Sequence, residues 1–255
     1  MAAPNLVRLI YRNVRVNTDP ASLVILLGLP AMYLIFFGFG FQSLASSAGS
    51  SASYLAFLAP GIMAFQAVMA GTVGGSMLWA DRRWGMLAQL LVGPFLRTEY
   101  LFGIMLTALI FGLGGAAIML VVSSALLGGA TLTLAGGLVT FGAIALGSVF
   151  FGSLMLLLAA LVKSNNAYNS IQIMLLFVVN FASTVFYPSS SSLPVALQVL
   201  FAINPLTYIA NTARAGYNGT VSVTNGIEMA ILAVETIVVL FFATRAYLRS
   251  NVTLE

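Results

Sequence analysis

The sequence predicts an all-α membrane protein that crosses the bilayer six times. Three observations carry this. Apolar residues make up 60% of the 255 and charged residues 6%, where a soluble domain has roughly 25% charged. Mean hydropathy is +1.04, more apolar surface than a water-soluble chain of this size can hide. Six runs are long enough to span: 21–41, 54–79, 101–127, 137–162, 168–187 and 227–248. A span needs about 20 apolar residues at about 1.5 Å each.

The first element is an arm over 4–19. Arg8, Arg12 and Arg15 stand at i, i+4 and i+7 on one helical face, with Leu6, Leu9, Ile10 and Val14 for apolar contact. This pattern predicts an interface helix on the membrane surface until Pro20 turns the chain inward. A plain basic flank is the alternative. Residues 21–41 read as a retained first span, because a cleaved signal has a core of only about 7–15 residues. Gly71-Thr72-Val73-Gly74-Gly75 and Gly112-Leu113-Gly114-Gly115 place small residues at close-packing intervals in the second and third runs. Such residues let helices approach; ordinary packing accounts for them and no dimer face is read from them. The serine-rich stretches 46–53 and 189–192 read as polar external turns. No internal repeat is evident.

Between the second and third runs lies a charged island. Asp81, Arg82, Arg83, Arg97 and Glu99 fall within 81–99, interleaved with Trp84, Leu87, Leu90 and Leu91 at helical spacing. Charge also orients the chain. With six spans and a cytoplasmic N-terminus, the cytoplasmic segments are 1–20, 80–100, 163–167 and 249–255. They hold or border nine of the ten cations, leaving only Arg214 outside. This follows the positive-inside rule and places both termini in the cytoplasm. A seventh apolar run, 193–209, is broken by Asn204-Pro205, and proline disfavours a continuous helix there. Full crossing would move Arg245 and Arg249 outside. The segment 188–226 is therefore expected to be external and re-entrant, covered by protein or water where it dips.

Missing residue types exclude much chemistry. With no Cys and no His, disulfides, haem ligation, nearly all zinc sites and His-based catalysis are ruled out. The scattered cations do not form a nucleic-acid surface. Lys163, the one lysine, follows Val162 and precedes Ser164. It reads as a turn anchor and belongs to no G-x-x-x-x-G-K-[ST] phosphate loop. No catalytic, cofactor or metal residue is expected on this chain. Glu228 and Glu235 sit seven residues apart, nearly on one face of the sixth span. A carboxylate at the depth of Glu235 costs roughly 2.5–3.5 kcal/mol and so faces protein or water. It either lines a path or binds a proton, or it is protonated and hydrogen-bonded to a neighbouring helix. Arg214 is a candidate partner for Glu228.

These segments resemble the membrane subunits of the ABC-2 exporter family, which includes daunorubicin-type drug exporters and exporters of polysaccharide and lipid. Tyr54-Leu55-Ala56-Phe57-Leu58-Ala59-Pro60-Gly61-Ile62 resembles the opening of that family's second span. Asp81-Arg82-Arg83-Trp84-Gly85-Met86-Leu87 with Gly93-Pro94 resembles its acidic-Arg-x-x-Gly-x-Leu loop. Phe186-Tyr187-Pro188, Leu193-Pro194 and Asn204-Pro205-Leu206-Thr207-Tyr208 with Arg214 resemble its external re-entrant region. The family often has an acid shortly after the Gly-x-Leu, where this chain has Ala88 and Gln89.

The resemblance implies a permease subunit without its own ATPase site, in a prokaryotic inner or plasma membrane. Two such subunits, alike or different, would pair, each on an ATP-binding subunit carrying ATP and Mg. The loop 81–96 would be a coupling helix, with Asp81, Arg82, Arg83, Trp84, Gly85, Leu87, Leu90 and Leu91 at the junction and Arg82 and Arg83 turned to the partner. Glu228, Glu235, Tyr187, Asn204, Pro205, Tyr208 and Arg214 would line the path or exit of an amphiphilic or hydrophobic cargo such as a drug, lipid or glycan. The alternatives are an ion- or proton-coupled carrier or channel using Glu235, and a structural subunit with no path.

Overall fold

A computed structural model describes residues 3–47, 54–127, 132–190 and 193–250. The serine-rich turns at 46–53 and 189–192 lie partly outside these residues. Among the described residues the regular elements are all helical: α1 (Ala3–Val16), α2 (Pro20–Leu23), a π-helical turn (Val24–Gly28), α3 (Leu29–Ser47), α4 (Tyr54–Arg83), α5 (Met86–Val92), α6 (Arg97–Leu127), α7 (Leu134–Leu161), α8 (Asn165–Phe181), α9 (Val195–Ile203), α10 (Pro205–Asn218) and α11 (Val223–Arg249). Five helices among the described residues are long and apolar enough to cross a bilayer: Pro20–Gln42, α4, α6, α7 and α11. The count is six if α9 and α10, bent by 77°, form one span.

The expected fifth span, 168–187, differs. It forms the 17-residue α8, about 25 Å long, and then turns. Polar groups end the helix. Asn204 donates at 2.7 Å to both Val179 O and Ala182 O, and the Ser183 hydroxyl donates to Asn180 O at 2.6 Å. Carbonyls at the helix end thus find donors outside the helical ladder. Helix and turn together still run the length of α4. Trp79 Nε1 donates to Asn165 Oδ1 at 2.9 Å at one end, and Tyr54 Oη donates to Phe186 O at 2.7 Å at the other.

α4 is the centre of the bundle, packed by α3, α6, α7 and α10, and its middle is buried almost without break from Leu58 to Gly71. Glycine makes its contact with α7 possible. A Cβ on Gly71 would lie 2.6 Å from the Phe151 carbonyl carbon, and one on Gly75 would lie 2.8 Å from Met155 O. The small-residue stripe therefore serves packing within the chain. α10 lies along α7 from Ile209 beside Gly147 to Gly216 beside Gly136, with Thr140 Oγ1 donating to Ala213 O at 3.1 Å.

α1 has three faces. Leu9 and Asn13 are buried against α6, with Asn13 Nδ2 donating to Thr107 Oγ1 at 3.2 Å. Val7 and Tyr11 are exposed and apolar, while Arg8 and Arg15 are exposed and charged. Arg12 departs from the expected shared face by turning inward.

Packing and propensity oppose each other at Gly75. Alanine is the better helix former by about 1 kcal/mol, but its Cβ would press on Met155. Gly75→Ala is expected to lower the detergent melting temperature by an overpacking cost of about 1–3 kcal/mol. Gly142→Ala, whose Cβ meets nothing within 4 Å, should be neutral or stabilising. Equal melting temperatures for the two variants would show that α4 and α7 are not in backbone contact.

Candidate functional site

The charged island begins inside the protein. Asp81, on the last turn of α4, is 6% exposed. Its carboxylate accepts both guanidinium nitrogens of Arg12 from α1, one at 2.8 Å, and the Tyr100 hydroxyl from α6 at 2.7 Å. Three helices meet on this one group, in the only ion pair among the described residues. The neighbouring Asp81 holds the Arg12 pKa above its ordinary value.

Arg82 corrects an expectation. It is 4% exposed, and its Nη1 donates to Ala159 O at 2.5 Å and Ala160 O at 3.3 Å, in the last turn of α7. Those carbonyls lie where the helical ladder runs out of donors, and a cation there also meets the negative end of the helix dipole. The cause is register. Gly75 and Arg82 are seven residues apart on one face of α4, and Met155 and Ala159 follow one another on the facing side of α7. Close approach at the glycine brings the end of α7 to the guanidinium.

Beyond Arg82 the chain turns outward. The Arg83 guanidinium lies 5.2 Å from the ring centre of Trp84, and Trp84 is 75% exposed. Gly85 has φ 69°, a left-handed conformation that glycine adopts freely, and it reverses the chain into α5. That helix is two-sided. Leu87 is buried, and Leu90 and Leu91 pack beside it with Trp79 and Tyr100 nearby. The expected contact set therefore splits. These three leucines hold α5 to the bundle, while Arg83, Trp84, Met86, Gln89 and the 90%-exposed Val92 face out. Met86 and Val92 were not singled out from sequence; they stand about 100° and 140° from Leu87 around the helix, and only the position of the bundle decides that this sector faces out.

Other polar groups at this end also hold helices. Arg97 donates to Leu248 O of α11 at 3.1 Å, and Glu99 accepts from the Leu96 amide at 3.0 Å. Asp19 caps α2, accepting from the Ser22 amide at 3.1 Å; hydrogen bonding by Ser22 holds its pKa below the ordinary value.

The opposite end carries a cavity of about 480 Å³, lined by Thr184, Ser189, Thr207, Tyr208, Asn211 and Glu228 among others. Asn204 and Pro205 build its corner. The Asn204 side-chain oxygen accepts from the Leu206 amide at 3.0 Å, and Pro205 opens α10. Tyr208 donates to Ala202 O at 2.5 Å across the bend; Tyr187 is exposed and is not among the residues that line the cavity.

Arg214 does not pair with Glu228. Its Nε donates to Phe57 O at 3.2 Å and its Nη2 to Thr184 O at 3.0 Å, and its guanidinium carbon lies 3.9 Å from the Phe57 ring centre. The side chain is spent on α4 and the 182–187 turn. Glu228 instead accepts from Asn211 at 2.9 Å and Asn225 at 3.4 Å. Asn211 stands between the two charges, its oxygen accepting from Thr184 Oγ1 at 2.8 Å and Arg214 Nη1 at 3.5 Å. Its signal in the sequence was an amide three residues before Arg214. Glu235, two turns beyond Glu228, keeps a buried Oε2 with no hydrogen-bond partner.

The family model for ABC-2 type transporters matches residues 6–218 of the chain. No curated protein matches it.

The Asp81 cluster should behave as one unit. Exposed ion pairs contribute about 0.2–1 kcal/mol, whereas breaking a buried one costs about 3–5 kcal/mol. In a double-mutant cycle of Arg12→Gln and Asp81→Asn, thermal unfolding is expected to give a coupling above about 1 kcal/mol. Strict additivity would mean that the cluster does not clamp α1 to α4.

Proposed function

We infer the function of this chain from its family: it belongs to the ABC-2 type transporters, matched over residues 6–218. It is a multi-pass membrane protein and the membrane-spanning component of such a transporter. Our further reading is a permease subunit of an ATP-driven exporter in a prokaryotic cell membrane. Two ATP-binding subunits, carrying ATP and Mg, would power a pair of permease chains. α1 would lie at the cytoplasmic interface, α8 would complete six spans with both termini inside, and α9–α10 would be re-entrant at the outer end.

The observation that carries this reading is the two-sided α5. Its outward residues Met86, Gln89 and Val92, together with Arg83 and Trp84 in the turn before it, join a cation, an indole and aliphatic side chains, the mixture that anchors protein interfaces. Its inward face is fixed to the bundle, so a push on α5 is delivered to α4 at once. Through Asp81 and Arg82 it also reaches α1, α6 and α7. The outer cavity, with a carboxylate, amides, hydroxyls and Tyr208, suits the exit of an amphiphilic drug, lipid or glycan.

One observation favours a second reading. The unpartnered Glu235 oxygen is the kind of group a proton- or ion-coupled carrier would use.

Two measurements test these readings. Trp84→Ala with Val92→Ala is expected to weaken capture of the ATP-binding subunit by roughly tenfold or more, with an unchanged melting temperature because both side chains are exposed. Unchanged capture would remove α5 as the docking surface. Uptake of an amphiphilic dye into inverted vesicles should require ATP, resist ionophores and survive Glu235→Gln. Dye uptake that ionophores and Glu235→Gln both abolish would replace the exporter with the carrier.

A further inference from the structure

Carboxylates near the charged end of the bundle are already engaged. Asp81 takes Arg12, Glu99 caps α6 and Asp19 caps α2. Glu228 and Glu235 stand toward the far end and within α11, and Glu255 lies outside the described residues. Arg245 and Arg249, one turn apart on the last two turns of α11, are exposed, and neither has an ion-pair or hydrogen-bond partner among the described residues. Both line a groove of about 590 Å³ between α7 and α11 whose floor includes Leu157, Leu161, Phe242 and Ala246. Phe242 lies seven residues before Arg249, about 10 Å deeper along the helix. The groove thus has at its mouth two cations with no partner among the described residues, and an apolar lining that runs along α11 toward the membrane core.

We propose that this groove is a binding site for one anionic phospholipid, its phosphate between Arg245 and Arg249 and an acyl chain along Leu157, Leu161 and Phe242. Guanidinium forks match phosphate oxygens in geometry and charge, and basic pockets between transmembrane helices at the cytoplasmic side hold anionic headgroups. A water-soluble partner protein would satisfy the arginines and leave the channel unfilled. A zwitterionic lipid would fill the channel, but its own choline cation already competes for its phosphate, so it neutralises the arginines only in part. An anionic lipid meets both. The proposal rests on α11 ending at the inner membrane surface and not on ATP or direction of transport, so the two readings fail separately.

The test is lipid retention by the full chain, purified from nanodiscs holding phosphatidylglycerol and phosphatidylcholine in equal amounts, and read by native mass spectrometry. The wild type is expected to retain phosphatidylglycerol preferentially. Arg245→Gln with Arg249→Gln should erase that preference, by about fivefold for each guanidinium. Arg8→Gln with Arg15→Gln, which removes the same charge from α1, should leave it intact. Ala246→Leu, which fills the channel, should reduce retention while the arginines remain. Glycerol phosphate, the headgroup without chains, should compete poorly. Equal loss in the α1 variant, full competition by glycerol phosphate, or no preference in the wild type would each overturn the proposal. So would Arg245→Gln/Arg249→Gln retaining phosphatidylglycerol while losing the ATP-binding subunit, since the arginines would then serve a protein contact.

Discussion

The structure depends on how closely α4 and α7 approach. With no side chain at Gly71 or Gly75, the α4 backbone rests against Phe151 and Met155. In lipid there is no hydrophobic force to bring helices together, so such close contact is a main source of cohesion. The same approach fixes register along the whole face. Seven residues on from Gly75, Arg82 arrives at the exhausted carbonyls of α7. One residue earlier, Asp81 arrives where α1 and α6 can supply Arg12 and Tyr100.

This explains why the most charged stretch of an apolar chain is only partly a surface. A buried carboxylate or guanidinium is tolerated when its partners are in place. Asp81 meets that condition with Arg12 and Tyr100; Arg82 meets it through Nη1 and two α7 carbonyls, while its buried Nε has no hydrogen-bond partner among the described residues. What remains outside is Arg83, Trp84 and the far side of α5. In the proposed exporter, the motor would press on a short helix whose root is locked, and little of the stroke would be lost in bending.

The bundle was legible in the sequence because hydrophobic length and charge position are one-dimensional signals. The spans 54–79, 101–127, 137–162 and 227–248 became α4, α6, α7 and α11 with ends shifted by a few residues, mostly outward. The break at Asn204-Pro205 was legible because proline acts locally. The inward turn of Arg82 was not, since consecutive helical residues point about 100° apart and only the position of α7 decides which sector is buried. Arg214 and Glu228 had the charges to pair, but the pairing depends on which helix lies beside each, and Asn211 lies between them. The early end of α8 had a visible cause in Asn180, Ser183 and Thr184, three polar residues in the otherwise apolar stretch 173–186. Their effect needed Asn204 from a later element to complete it.

α4 is also held at its Tyr54 end, opposite the Asp81 cluster. Pro60 lies inside the helix, in the same turn as the Phe57 carbonyl that accepts from Arg214. Arg214 also binds Thr184 O, and Asn211 passes the connection to Glu228 on α11. The wall of the cavity lined by Tyr208 and Glu228 is therefore hydrogen-bonded to the helix whose other end carries α5. α4 has 30 residues, about 45 Å of helix, and its buried middle leaves little freedom for independent bending. A displacement at the Trp84 end would reach the cavity as movement of a rod, through polar contacts at both ends and glycine contacts between. In that arrangement the cavity need not sense ATP by any local chemistry; its shape would follow the position of one helix.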